Sequence, residues 1–201
     1  MQFETVRKSL EARGYRVSVF GTKAEATAYL DGKIDGKTVG FGGSVTLREM
    51  GIYEALSTHN ETFWHWAVPE NCTAAEMREK GAKAQIYLSS VNGLSQTGEI
   101  VNIDGTCNRV SAMLYGHETV YLVAGKNKLA PTLDAALHRA RNIAAPKNAQ
   151  RLGMKTPCAA NADKCYDCSS PERICKALSV LWGKPTGGDF EIVLIDEDIG
   201  Y

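Results

Sequence analysis

The sequence predicts an α/β protein: a Rossmann-like, mostly parallel sheet with helices on both faces. Three observations carry that prediction. Runs of strand composition alternate with helical patterns over nearly all of the 201 residues, the alternation that builds a parallel sheet. Thr119-Val120-Tyr121-Leu122-Val123-Ala124 is a near-continuous apolar run, as expected of a strand covered on both sides. Gly40-Phe41-Gly42-Gly43-Ser44-Val45-Thr46-Leu47 sets glycines between a β-type run and a helical pattern, where a chain turns tightly from strand to helix.

The elements follow in order. Val6 and Leu10, with a glycine stop at Gly14, predict an opening helix. Arg16 to Phe20 reads as a strand and Lys23 to Leu30 as an alanine-rich helix. Thr38 to Phe41 is the strand entering the glycine turn, and Val45 to Leu56 the helix leaving it. Thr62 to Ala67 reads as a strand, with His65 facing away from Trp64 and Trp66. Thr73 with Glu76 three residues on predicts a capped helix to Lys80. Ala84 to Leu88 is a strand, Ser89 to Gly98 a polar loop, Glu99 to Ile103 a strand, and Val110 to Leu114 a short helix. The apolar run follows. Pro131 then starts a long helix, and Phe190 to Ile195 is the last strand.

Composition bounds the function. Residues 1–201 suit one domain, including a cysteine-rich loop segment at 155–176. Lysine plus arginine balances aspartate plus glutamate at 23 each, so no basic excess points to nucleic acid or to a membrane surface. No apolar run approaches the roughly 18 residues of a membrane span. The first 13 residues are charged and amphipathic, unlike a signal peptide. The expected location is the cytoplasm, where cysteines serve as metal ligands, redox groups or core fillers more often than as structural disulfides.

In open α/β sheets, ligands sit beyond the carboxyl ends of the strands. The loops there are the candidate site. Gly42, Gly43, Ser44 and Thr46 form a candidate cradle for a small anion, with Ser44 placed to cap the following helix. Asn92, Ser95, Thr97, Asn108 and Arg109 add hydrogen-bonding groups and a cation. Glu99 and Asp104 are the candidate general acids or bases, and either can equally be half of an ion pair. The histidines read as packed or solvated, and no HExxH pair is present.

Three stretches together resemble a known family. Gly40 to Leu47 with Glu49-Met50-Gly51, then Thr97-Gly98-Glu99-Ile100-Val101 with Asn102 to Arg109, then His117 to Lys128 are similar to the glycine-serine loop, central strand and late strand of the LUD (lactate utilization) domain family. The resemblance implies a fold akin to ribose-phosphate isomerases, glucosamine-phosphate deaminases and coenzyme A transferases. It also implies a role in bacterial lactate oxidation beside iron–sulfur partner proteins. Glu99 does not align with the nucleophilic glutamate of the transferases, so that activity is not carried across.

Cys158, Cys165, Cys168 and Cys175 are spaced C-x6-C-x2-C-x6-C. Four thiolates in so short a stretch can complete a tetrahedral zinc site or hold an iron–sulfur cluster, although the spacing matches neither common ferredoxin pattern. A Cys165–Cys168 dithiol or disulfide, and unbound thiols, are the alternatives.

Three functions fit. The chain is a component of 2-hydroxy acid oxidation that binds a small anion and works with iron–sulfur oxidoreductase subunits. Or it is a group-transfer or isomerase-type enzyme on a phosphorylated or coenzyme-linked molecule. Or it is a ligand sensor that keeps the pocket without the chemistry.

Overall fold

The computed structural model describes residues 3–201. Helix α1 (Glu4–Ala12) buries Val6 and Leu10 completely, a contribution of about 1.5–3 kcal/mol each. Strand β1 (Arg16–Phe20) and helix α2 (Lys23–Lys33) follow, and Thr22 with Glu25 closes a capping box on α2. Strand β2 (Thr38–Phe41) enters the glycine turn. The single predicted helix after it is two, α3 (Val45–Met50) and α4 (Ile52–Leu56). They part at Gly51, whose φ of 67° is left-handed and ends a helix.

Strand β3 (Glu61–Trp64) stops earlier than predicted, so His65 and Trp66 belong to the turn beyond it. Helix α5 (Ala74–Ala82) carries the predicted Thr73–Glu76 capping box. It lies so close to β2 that a Cβ on Gly40 would strike the Gly81 carbonyl. Then come β4 (Ile86–Ser90), β5 (Gly93–Ser95), β6 (Ile100–Asp104), α6 (Asn108–Leu114) and β7 (Thr119–Gly125). A 3-10 turn at Lys126–Lys128 leads to β8 (Leu129–Ala130).

The long helix begins at Leu133, capped by Thr132, and is not uniform. It runs as α7 (Leu133–Arg139), a π-helical turn (Ala140–Ala144) and α8 (Ala145–Arg151). Pro146 lacks a backbone donor, and a widened turn is one way a helix absorbs that loss. The expected loop after Lys155 contains a short helix, α9 (Pro157–Asn161). Pro171 lies in a turn within the rest of that segment. Strands β9 (Ala177–Leu181) and β10 (Asp189–Ile195) complete the chain.

The main sheet has the order β1-β10-β7-β4-β2-β3, with every neighbouring pair parallel. Alternate residues of β7 feed opposite cores. Leu122 and Ala124 pack with α1 and α6, while Tyr121 and Val123 pack with α2, α3 and α4. Helices therefore cover both faces, as the apolar run predicted. A second sheet, β8-β5-β6-β9, is new relative to the sequence reading. It takes β5 from the expected polar loop. Its β6–β9 pairing is antiparallel, with Ile100 opposite Leu181.

Candidate functional site

The carboxyl ends of β2, β3 and β4 open onto a cavity of about 300 Å³, bounded on its other sides by the Asp104–Arg109 segment and helix α8. Four side-chain cations line it, Arg78, Arg109, Lys128 and Arg151, against one side-chain carboxylate, Asp104, and Tyr201, whose backbone oxygen accepts from Arg139, lines it as well.

The glycine turn forms one wall. Gly42 and Gly43 are glycines for space, since neither has a left-handed φ. A Cβ on Gly42 would lie 2.9 Å from Arg109 Cγ and from Ser89 Oγ, and one on Gly43 would lie 3.1 Å from His65 Nε2. Ser44 caps α3 as predicted. Its Oγ accepts from the Leu47 N–H and donates to Ser90 Oγ. The Thr46 hydroxyl donates to the Ile199 carbonyl at 3.4 Å. Both hydroxyls thus have partners within the protein.

Arg109 is a strut. Its guanidinium donates to the Ser90 and Ile103 carbonyls and to the side-chain oxygens of Asn102 and Asn92. Burial pushes its pKa down against the opposing charge of Asp104, and this set of acceptors holds the guanidinium in place. Asn92 Oδ1 also accepts from the Ile103 N–H. Asp104 accepts from the N–H groups of Cys107 and Val110, which starts α6, and stands 3.8 Å from Arg109 Nε. Asn108, in the first turn of α6, faces the same cavity.

Lys128 differs from these. Only 2% of it is exposed, it lines the cavity, and among the described residues no hydrogen-bond acceptor or carboxylate pairs with its ammonium. Burial, and then the charge of Arg139, push its pKa down to about 7. Arg139 is held by the carbonyls of Asn127 and Asn92, both at 2.6 Å. Across the cavity stand His65 and Trp66. Burial, and then the charge of Arg78, lower the His65 pKa, so its imidazole is neutral near pH 7. The Arg151 guanidinium lies 4.9 Å from the centre of the Trp66 ring.

The structure brings Gly43, Ser44, Thr46, Asn92, Asp104, Asn108 and Arg109 around this one hollow, with Gly42 next to them against Arg109 and Ser89. It places Ser95, Thr97 and Glu99 elsewhere. There the Glu99 carboxylate accepts from Ser95 and Thr97 and pairs with Arg13 of the α1 terminus. Arg13 also donates to the Thr97 carbonyl. This is a closed brace between α1 and the second sheet, outside the cavity. Sequence reasoning passed over Lys128, His65, Arg78 and Arg151 as site residues. His65 could have been flagged by its place at the end of a strand. Nothing local marks Lys128 as buried.

Cys158, Cys165, Cys168 and Cys175 surround a second hollow of about 10 Å³. All six cysteines are free thiols. Among the described residues, no three His, Cys, Asp or Glu side chains are drawn together as a metal-ligand set. No helix among them is long and apolar enough to cross a membrane.

The sequence model of the LUD domain matches residues 3–195. Among solved structures, the chain is similar to a DUF162 family protein from Deinococcus radiodurans. The TM-score is 0.54 at 10% identity, covering 96% of each chain, a likeness of fold. Comparison with curated proteins finds no match.

Proposed function

The chain belongs to the LUD domain family, associated in general with lactate utilization, and from that premise we propose that its cavity binds a small carboxylate of the 2-hydroxy or 2-oxo acid class. The observation that carries this reading is Lys128, a buried amine with no hydrogen-bond or salt-bridge partner among the described residues, in a cavity where side-chain cations outnumber side-chain carboxylates four to one. An ammonium is costly to bury unless an anion answers it. A bound carboxylate would supply that anion. The volume, about 300 Å³, falls at the small end of ligand sites, in keeping with a compact metabolite. His65 offers a neutral imidazole to the ligand's hydroxyl or keto oxygen. Arg109, Asn92 and Ser44 hold the walls. In this reading the chain serves bacterial lactate utilization, presenting the acid beside iron–sulfur oxidoreductase subunits.

Calorimetry with L-lactate, pyruvate and inorganic phosphate tests the reading. One of the two acids should bind the wild type, and Lys128→Met should weaken it about tenfold or more, the scale of a charged hydrogen bond. Binding of phosphate alone would transfer the site to phosphorylated ligands. Equal affinity in wild type and variant would remove Lys128 from the site.

A further inference from the structure

We propose that Lys128 is a nucleophile that joins a 2-oxo acid in the cavity through an imine between its Nζ and the acid's carbonyl carbon. The proposal rests on the reading of the cavity as a site for 2-hydroxy and 2-oxo acids, and it narrows the covalent step to the oxo acids.

The first ground is where this amine stands. Among the described residues Lys128 is the one buried lysine, 2% exposed, and it lines the cavity with no hydrogen-bond or salt-bridge partner. A surface lysine is a strongly hydrated ammonium with no lone pair to give. Lysines become nucleophiles where they are desolvated or set beside another cation, and Lys128 meets both conditions. Burial first and the charge of Arg139 second bring its pKa to about 7, with Lys147 and Arg109 acting in the same direction and Glu49 against them. The free amine is therefore well populated near neutral pH.

The second ground is a fixed backbone. Lys128 ends the 3-10 turn after β7. The Lys126 N–H donates to the Glu197 carbonyl at 3.1 Å. Asn127 binds the segment after β10 twice, accepting from the Ile199 N–H at 3.3 Å and donating to the Gly200 carbonyl at 3.1 Å. From the other side, Arg139 Nε donates to the Asn127 carbonyl at 2.6 Å. A Cβ on Gly125 would lie 2.5 Å from Ile199 Cγ2, so the same segment packs hard against the start of the turn. A turn pinned in this way presents the amine in one place, as a reacting group requires.

The step is complete within the cavity. The acid's carbonyl carbon is bonded to its carboxylate carbon, so an ammonium that answers the carboxylate stands within reach of the carbonyl. Once Nζ has given up a proton, its lone pair attacks the carbonyl carbon and the C=O π pair moves to oxygen. Over the whole step a C=N bond forms and the C=O bond breaks. The two protons lost by the ammonium leave with the oxygen as water. The protonated imine keeps the positive charge beside the carboxylate, and nothing is oxidised or reduced. His65, neutral and on the same cavity, is the base available to carry protons from nitrogen to oxygen. A 2-hydroxy acid has no carbonyl at that carbon and stops at the ion pair.

The test incubates the full chain with pyruvate and sodium cyanoborohydride, which reduces an imine to a stable secondary amine. Intact mass should rise by one pyruvic acid less one oxygen atom, and peptide mapping should place the adduct on Lys128. L-lactate in place of pyruvate should leave the mass unchanged. Lys128→Arg keeps the positive charge and should lose the adduct. Without reductant, pyruvate labelled with carbon-13 at its carbonyl should show the carbon signal of an imine on the wild-type chain, a readout that decides the matter if the variant fails to fold. Pyruvate binding by calorimetry with neither adduct nor imine signal would overturn the covalent step and leave the anion site standing. No binding of either acid, with no adduct, would overturn both. An adduct spread over exposed lysines, or undiminished in Lys128→Arg, would also overturn the proposal.

Discussion

The Ser44 hydroxyl donates to Ser90 Oγ at 2.7 Å and so ties the glycine turn to the end of β4. The same oxygen caps α3 through the Leu47 N–H at 3.1 Å. This serine builds the wall of the cavity. Ser44→Ala should therefore cost about 1 kcal/mol, the usual loss of an N-cap, and lower Tm by about 2–4 °C. Anion affinity should fall much less than in Lys128→Met. Thermal melts and calorimetry on both variants check this.

Lys128→Met should gain stability while losing ligand. The folded-state pKa of Lys128 is about 7, and an unfolded lysine titrates near 10.4. Between those values the unfolded chain holds a proton that the folded chain lacks, so wild-type stability climbs with pH across about 7 to 10. Below about 7 the cost of burial is fully present. The variant should exceed the wild type most at pH 6, and the gap should close by about pH 10. Urea denaturation across that range tests the sign.

Anion affinity should follow the same group. A bound carboxylate favours the ammonium and raises its pKa above the free value of about 7. Affinity should be flat below pH 7 and weaken as pH rises above it, by up to about tenfold per unit. Lys128→Met should abolish this slope. Calorimetric titrations from pH 6 to 9 provide the measurement.

Glu99→Gln should harm the fold and spare the cavity. Burial raises the Glu99 pKa, but hydrogen bonds from Ser95, Thr97 and its own N–H, with the charge of Arg13, outweigh it and leave the pKa below its ordinary value. That carboxylate stabilises the fold above the unfolded value near 4.3. Its contribution is lost as pH falls through the folded value. The substitution should cost about 1.5–3 kcal/mol at pH 7, with the deficit shrinking below about pH 4. Ligand affinity in that variant should match the wild type. A variant that folds normally yet loses activity would return Glu99 to a catalytic role.

Local pattern in the chain determined the strand–helix alternation, the buried strand at Thr119, the capping box at Thr73 and the glycine turn with its Ser44 cap. It also placed Asn92, Asp104, Asn108 and Arg109 at the carboxyl ends of the strands, where the cavity lies. Each of these depends on neighbours within about one helical turn or on alternation along one strand, which sequence reports directly. Tertiary structure alone decided the rest. Glu99 reads as a general acid or base or as half of an ion pair until Arg13, 86 residues earlier, takes its carboxylate. The loop after Ser89 becomes a strand because β6 and β8 flank it. Lys128 is an ordinary charged residue until packing buries it at the cavity wall with no hydrogen-bond or salt-bridge partner among the described residues. Burial and partnership are properties of chain segments brought together from far apart, and no periodicity within a segment encodes them.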